Sequence, residues 1–323
     1  MKTINDETVI LSGCSYSVDV YTRFRNRDPK TGNFFKPTHC ENTWPKLLPF
    51  KDIINLSLCG ASNCEFISRV IDFLLADTIY DEAHRNFKTH SKKVDRVIIA
   101  LTQWDRFDTP YDRIFPHYFW WFNDEELQES IKKNEGERFI DMTAEKKMMW
   151  WHQRYGSPNI EDLKENGNMP QEMIKMIDSI LHSLLILANI CAQKNIPLHI
   201  FQMLEVFVLP FGKDKPILEK GIFNHIIHSP LTKKLKELEY QKKLELIGFP
   251  FITGSIIWED VVEENRIPLH DEADKTRHRS WSNEFETANI TIGDGDLHPN
   301  ELGHKLIAEK VLNELNLEKV KND

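Results

Sequence analysis

Val9-Ile10-Leu11-Ser12-Gly13-Cys14-Ser15-Tyr16 carries a short apolar run straight into a glycine turn. That is how a strand buried on both faces hands over to a loop at its carboxyl end. Working outward, the same kind of run recurs at Ile53–Leu58, Val97–Leu101 and Leu198–Leu204. A fifth candidate lies between Phe249 and Trp258, where Pro250 and Gly254 blur its limits. Helical patterns lie between and after these runs. Cys64–Ala76 carries Phe66, Ile67, Val70, Ile71, Phe73 and Leu74, and Met173–Cys191 makes an amphipathic stripe. Leu302, Leu306, Ala308, Val311, Leu312 and Leu315 make another in the last helix. Alternation of this kind predicts right-handed crossovers and a mainly parallel sheet of about five strands, with helices on both faces. Such α/β sheets hold their chemistry at the carboxyl ends of the strands.

The chain has 323 residues, enough to bury about 75% of its unfolded surface without disulfide or metal staples. It shows no internal repeat and no linker, so residues 1–323 read as one domain. Two segments interrupt the alternation. Residues from about 17 to 45 are polar and read as a surface excursion. Residues from about 107 to 169 form a long aromatic-rich insertion that includes Tyr111, Phe115, Tyr118, Phe119, Trp120, Trp121 and Phe122. Five of the eight tryptophans fall between Trp104 and Trp151, too concentrated for an ordinary loop. They suit a lid over a cleft, a small satellite core or an oligomer contact.

Acidic residues number 50 against 41 basic ones, a net charge of −9 that argues against a wide nucleic-acid footprint. Five cysteines without a C-x-x-C pair suggest neither a disulfide framework nor a zinc ribbon, and point to a reducing, cytoplasmic setting. The polar N-terminus lacks a secretory apolar region, so no signal peptide is expected. The longest apolar stretch, around Ile180–Ala192, is broken by His182, Ser183 and Asn189 and reads as too short for a membrane span. No Walker loop, G-x-G-x-x-G, H-E-x-x-H or EF-hand pattern occurs, so neither metal nor cofactor is expected. His304, one turn into the last helix, reads as a surface or capping residue.

Three blocks carry candidate chemistry. Ser15 follows the first strand, where its N–H and the N-terminus of a following helix face a developing oxyanion. A plain serine N-cap fits the same residue. Gly60 and Asn63, in Asn55-Leu-Ser-Leu-Cys-Gly-Ala-Ser-Asn63, are candidate oxyanion donors, or else a turn glycine and a helix cap with Ser62. Asp294-Gly-Asp296-Leu-His298-Pro-Asn300 places an imidazole before the last helix with a carboxylate close enough to orient it, and Asn300 can cap that helix.

Together these blocks resemble the SGNH, or GDSL-type, hydrolases. The Gly-Cys-Ser-Tyr form is similar to a variant found in bacterial and phage sequences. The resemblance implies a three-layer, flavodoxin-like α/β/α sandwich and hydrolysis of an ester or acyl group, for example O-acetyl on carbohydrate. It assigns Ser15 as nucleophile, His298 as base and Asp296 as the acid, Asp296 matching a shorter Asp-x-His-Pro spacing better than Asp294. Backbone N–H groups of Ser15 and Gly60 become the oxyanion donors, with Asn63 as a third. The expected partner is a small-molecule or glycan ester. One departure stands out: the block after strand three reads Thr102-Gln-Trp104-Asp-Arg106, with Trp104 where the family has an oxyanion asparagine. Thr102, Trp104 and Arg106 are accordingly candidate substrate contacts. The same blocks also suit acetyl transfer, or a non-catalytic module, such as a virion-associated assembly protein, that has kept a vestigial triad.

Overall fold

The computed structural model describes residues 4–19, 21–22, 39–58, 61–81, 86–89, 93–102, 104, 106–109, 112–118, 171–204, 224–247, 257, 261, 264, 290–293 and 296–315. Its centre is a five-stranded sheet of β1 (Thr8–Gly13), β2 (Asp52–Asn55), β3 (Arg96–Leu101), β4 (Leu198–Gln202) and β5 (Glu245–Ile247). The spatial order is β2-β1-β3-β4-β5, and every neighbouring pair is parallel. In register, Ile10 lies beside Ile54 on one side and Val97 on the other, and Ile99 beside Ile200.

Among the described residues, the sheet is supported by α1 (Asn63–Ala76), α2 (Gln171–Lys194), α3 (Pro230–Tyr240) and α4 (Glu301–Glu314). Strand alternation sends successive side chains to opposite faces. Ile10, Ile54, Val97, Ile99, Leu198 and Ile200 accordingly pack with Phe66, Val70, Leu181, Leu184, Ala188 and Leu235 from α1, α2 and α3. Val9, Leu11, Ile98, Ala100 and Phe201 pack on the other face with Trp44 and with Ile307, Val311 and Leu312 of α4. Right-handed crossovers explain the split. The chain steps one way from β1 to β2 and the opposite way from β2 through β3 to β5, so the two sets of connections fall on opposite faces.

Several expectations shift. The fifth strand is Glu245–Ile247, ahead of the Phe249–Trp258 window, most of which lies outside the described residues; Ile257, described within it, is helical and buried. An edge strand of three residues with a glutamate in it makes too short an apolar run to show. The excursion from about 17 to 45 is not wholly at the surface, because Ser17, Cys40, Thr43, Trp44 and Pro45 are buried. Its apolar residues close the second core, and its polar middle lies outside the described residues. In the long insertion, Arg106–Thr109 pairs antiparallel with Asp112–Tyr118, while residues 119–170 fall outside the description.

The Ile180–Ala192 stretch is part of a 24-residue helix. Within it, Ile174–Lys194 has a mean hydropathy of 1.6 and is long enough to cross a bilayer by length and composition alone, which corrects the reading of that stretch as too short. The helix docks one face in the core instead, with Ile177, Ile180, Leu181, Leu184 and Ala188 buried. In α4 the buried stripe is His304, Ile307, Ala308, Val311 and Leu312, while Leu302 is 49% exposed. His304 is therefore interior, contrary to the surface reading.

Candidate active site

In a sheet of this order, the loops leaving β1 and β3 run to opposite faces, opening a crevice at the carboxyl ends of the strands. Ser15 stands there, two residues beyond β1. Gly13 ends the strand beside Ala100, and a Cβ at that glycine would lie 2.7 Å from Ser17 Oγ and 3.0 Å from the Ala100 carbonyl. Only glycine lets the chain fold back this tightly. The segment that follows is one 3-10 turn, Ser15–Ser17, rather than the helix expected from sequence. So short a turn sums too few peptide dipoles to serve as a helix N-terminus.

Side chains from distant segments hold this turn. Asn55, at the end of β2, donates from Nδ2 to the Ser17 carbonyl at 2.7 Å and to Asp19 Oδ1 at 2.8 Å. Its Oδ1 accepts from the Ser57 N–H at 2.9 Å. Trp44 donates its indole N–H to the Tyr16 carbonyl at 2.8 Å.

His298 reaches Ser15 from the far end of the chain. It sits in a two-stranded antiparallel ribbon, Thr291–Gly293 with Asp296–Pro299, just before α4. Asn300 anchors the ribbon to the helix: its Oδ1 caps α4 through the Gly303 N–H at 2.9 Å, and its Nδ2 donates to the Thr291 carbonyl at 3.1 Å. The capping role expected of Asn300 is thus observed. His298 Nε2 lies 2.8 Å from Ser15 Oγ. In the neutral tautomer with its proton on Nδ1, Nε2 accepts from the serine hydroxyl. The Tyr16 ring lies against the imidazole, centroids 4.7 Å apart at 32°. Asp296 begins the second ribbon strand with its backbone opposite Gly293; its carboxyl, Asp294 and Gly60 lie outside the described residues.

The other candidates are placed differently. Asn63 is fully buried and uses both ends of its amide on the backbone of Thr102: Oδ1 accepts from the Thr102 N–H at 2.9 Å, and Nδ2 donates to the carbonyl at 3.1 Å. This clamp between α1 and the end of β3 replaces the donor role read from sequence, while Ser62 caps α1 by accepting from the Glu65 N–H at 3.2 Å. Thr102 and Trp104 are both 0% exposed, which removes them as substrate-facing surface. The Trp104 indole donates to Gln202 Oε1 at 3.1 Å, and Gln202 donates to the Thr102 and Leu204 carbonyls at 2.9 and 2.7 Å. Trp104 thus belongs to an interior polar network with Gln202 and Thr102. Arg106 opens the hairpin, its side chain outside the description.

Sequence reading missed Trp44, Asn55 and His304 as parts of this site. His304 accepts the Trp44 backbone N–H on Nδ1 at 3.2 Å, and its Nε2 has no partner among the described residues. Burial, and then the neighbouring His298, pull its pKa down to about 4. Its spacing of four and seven residues from Ala308 and Val311 was the available signal. Among the described residues, no group of three or more His, Cys, Asp or Glu is arranged to hold a metal ion. Compared with known proteins, the chain matches no family model, and no curated protein matches its sequence.

Proposed function

We propose that this chain is a serine hydrolase of the SGNH type, acting on an ester or acyl substrate such as an acetylated carbohydrate. The observation that carries the reading is the 2.8 Å approach of His298 Nε2 to Ser15 Oγ at the carboxyl edge of a parallel sheet ordered β2-β1-β3-β4-β5. The two residues lie 283 positions apart, and nothing in local structure requires them to meet.

In this reading Ser15 Oγ attacks the substrate carbonyl carbon while its proton passes to His298 Nε2. The backbone N–H of Ser15, with that of Gly60, receives the developing oxyanion. Collapse expels the alcohol, which takes the proton back from His298, and water repeats the sequence to free the acid. Asp296, two residues before His298 in the ribbon strand, accepts Nδ1–H and holds the productive tautomer. A second reading, a non-catalytic module of the same fold, is favoured by Trp104, whose indole N–H is turned inward onto Gln202.

A fluorophosphonate probe separates the two without requiring the natural substrate. The enzyme reading expects covalent labelling at Ser15 and loss of both labelling and p-nitrophenyl acetate hydrolysis in Ser15→Ala. A folded chain that resists the probe supports the module, and labelling that survives Ser15→Ala removes this serine from the mechanism.

A further inference from the structure

We propose that His304 is a positioning residue for the Ser15–His298 pair, acting through Trp44. This rests on the hydrolase reading above. The geometry forms one line of contacts. His304 Nδ1 accepts the Trp44 backbone N–H at 3.2 Å, and the indole N–H of Trp44 donates to the Tyr16 carbonyl at 2.8 Å. Tyr16 adjoins the nucleophile, and its ring lies against His298.

The line therefore begins on the helix that follows the base and ends in the turn that holds the serine. It sets the distance between two groups that no covalent path shorter than 283 residues connects. Each member is fixed in place. His304 is 1% exposed and Trp44 0%, and Trp44 is braced edge-on against Phe201 at 6.1 Å and 64°. Because Nδ1 accepts, the proton of neutral His304 must sit on Nε2, the nitrogen without a partner among the described residues. A buried donor without an acceptor is costly. A leucine of similar size would fill the same space without it, so packing alone gives no reason for histidine. What histidine adds is an acceptor aimed at the Trp44 N–H.

The test compares His304→Asn, whose amide oxygen can take the place of Nδ1, with His304→Leu, which fills the space without an acceptor. The readouts are the second-order rate of fluorophosphonate labelling at Ser15, and kcat and KM on p-nitrophenyl acetate. His304→Leu should lower the labelling rate and kcat by about ten- to a hundredfold, the scale of a small misplacement of reacting groups, with KM within about twofold. His304→Asn should recover most of that rate. Trp44→Phe, which keeps a ring and the backbone N–H but loses the indole N–H, should reproduce the loss. Combined with His304→Leu it should cost no more than the larger single change, because the two act in series.

Labelling of folded His304→Leu at the wild-type rate overturns the proposal, and so does His304→Asn as slow as His304→Leu. If His304→Leu does not fold, Trp44→Phe decides alone: a wild-type rate overturns it, a tenfold loss supports it. A wild-type chain that the probe does not label brings down the hydrolase reading and this proposal with it, whereas a labelled wild type with indifferent variants brings down only the role of His304.

Discussion

A buried neutral histidine makes a protein sensitive to acid. Unfolded, His304 titrates near 6.5; folded, burial and His298 hold it near 4. Between those values the unfolded chain binds the extra proton, so stability is fully present above about 6.5 and drains away as the pH falls toward 4. The gap corresponds to roughly 3 kcal/mol. Urea midpoints measured from pH 7 to pH 4 should fall accordingly, and His304→Asn should flatten that slope. At the proposed triad, Asp296→Asn should lower kcat by several orders of magnitude, on the pattern of the chymotrypsin-type case, where the loss is about 10⁴. Asp294→Asn should do far less; steady-state kinetics that reverse this order would reassign the acid. Ser15 and His298 were legible because each sits in a short block whose neighbours, a tight glycine turn and a helix cap, imply its geometry. Trp44, Asn55 and His304 were not, because each works through a contact made across the fold. A histidine on an apolar stripe carries no mark of which backbone N–H it will accept.

Among the elements, β1 and its turn tolerate least. Gly13→Ala sets a methyl against Ser17 Oγ at 2.7 Å and the Ala100 carbonyl at 3.0 Å. The serine can rotate, but the sheet carbonyl cannot. Thermal melts should show a loss of about 1–3 kcal/mol, and probe labelling should slow because the turn carrying Ser15 is displaced. Helix α2 offers a different handle. Cys191 is fully buried, and burial alone pushes its thiol up to about 12. It should resist iodoacetamide in the folded protein at pH 8 and react on unfolding, so mass-detected alkylation reports the docking of α2. Strands β1, β3 and β4 could be read from sequence, because strands covered on both faces are nearly continuous apolar runs, and the edge strand β2 from its Ile53-Ile54 pair. The three-residue edge strand β5, which contains Glu245, lacked that signal. The stripe on α4 was read correctly at Leu306, Ala308, Val311, Leu312 and Leu315, but Leu302 is exposed and His304 is buried instead.

Across the whole molecule, the two ends of the sheet strands separate an ion-paired cluster from the proposed site. At the amino edge, Glu7 Oε2 binds Arg96 Nε at 2.7 Å, Arg96 Nη1 meets His199 Nε2, and His199 Nδ1 bonds Glu245 Oε2 at 2.7 Å. This chain of contacts laces β1, β3, β4 and β5 together, and its bond to His199 holds the Glu245 carboxyl below its ordinary range. Arg96→Leu should cost about 2 kcal/mol, below the 3–5 kcal/mol of a wholly buried pair because the arginine is 14% exposed. Its labelling rate at Ser15 should stay at the wild-type value, since the opposite edge is intact; a parallel loss of rate would show the two edges to be coupled. The carboxyl edge has its own consequence, in time. Ser15 and His298 are separated by 283 residues, so on a ribosome adding about 5–20 residues per second the serine waits roughly 15–60 s for its base. Throughout synthesis the nascent chain carries an unactivated hydroxyl. On the hydrolase reading, capacity then switches on in one step, when α4 docks beneath the Trp44 turn, and nascent chains stalled before residue 298 should be silent toward the probe.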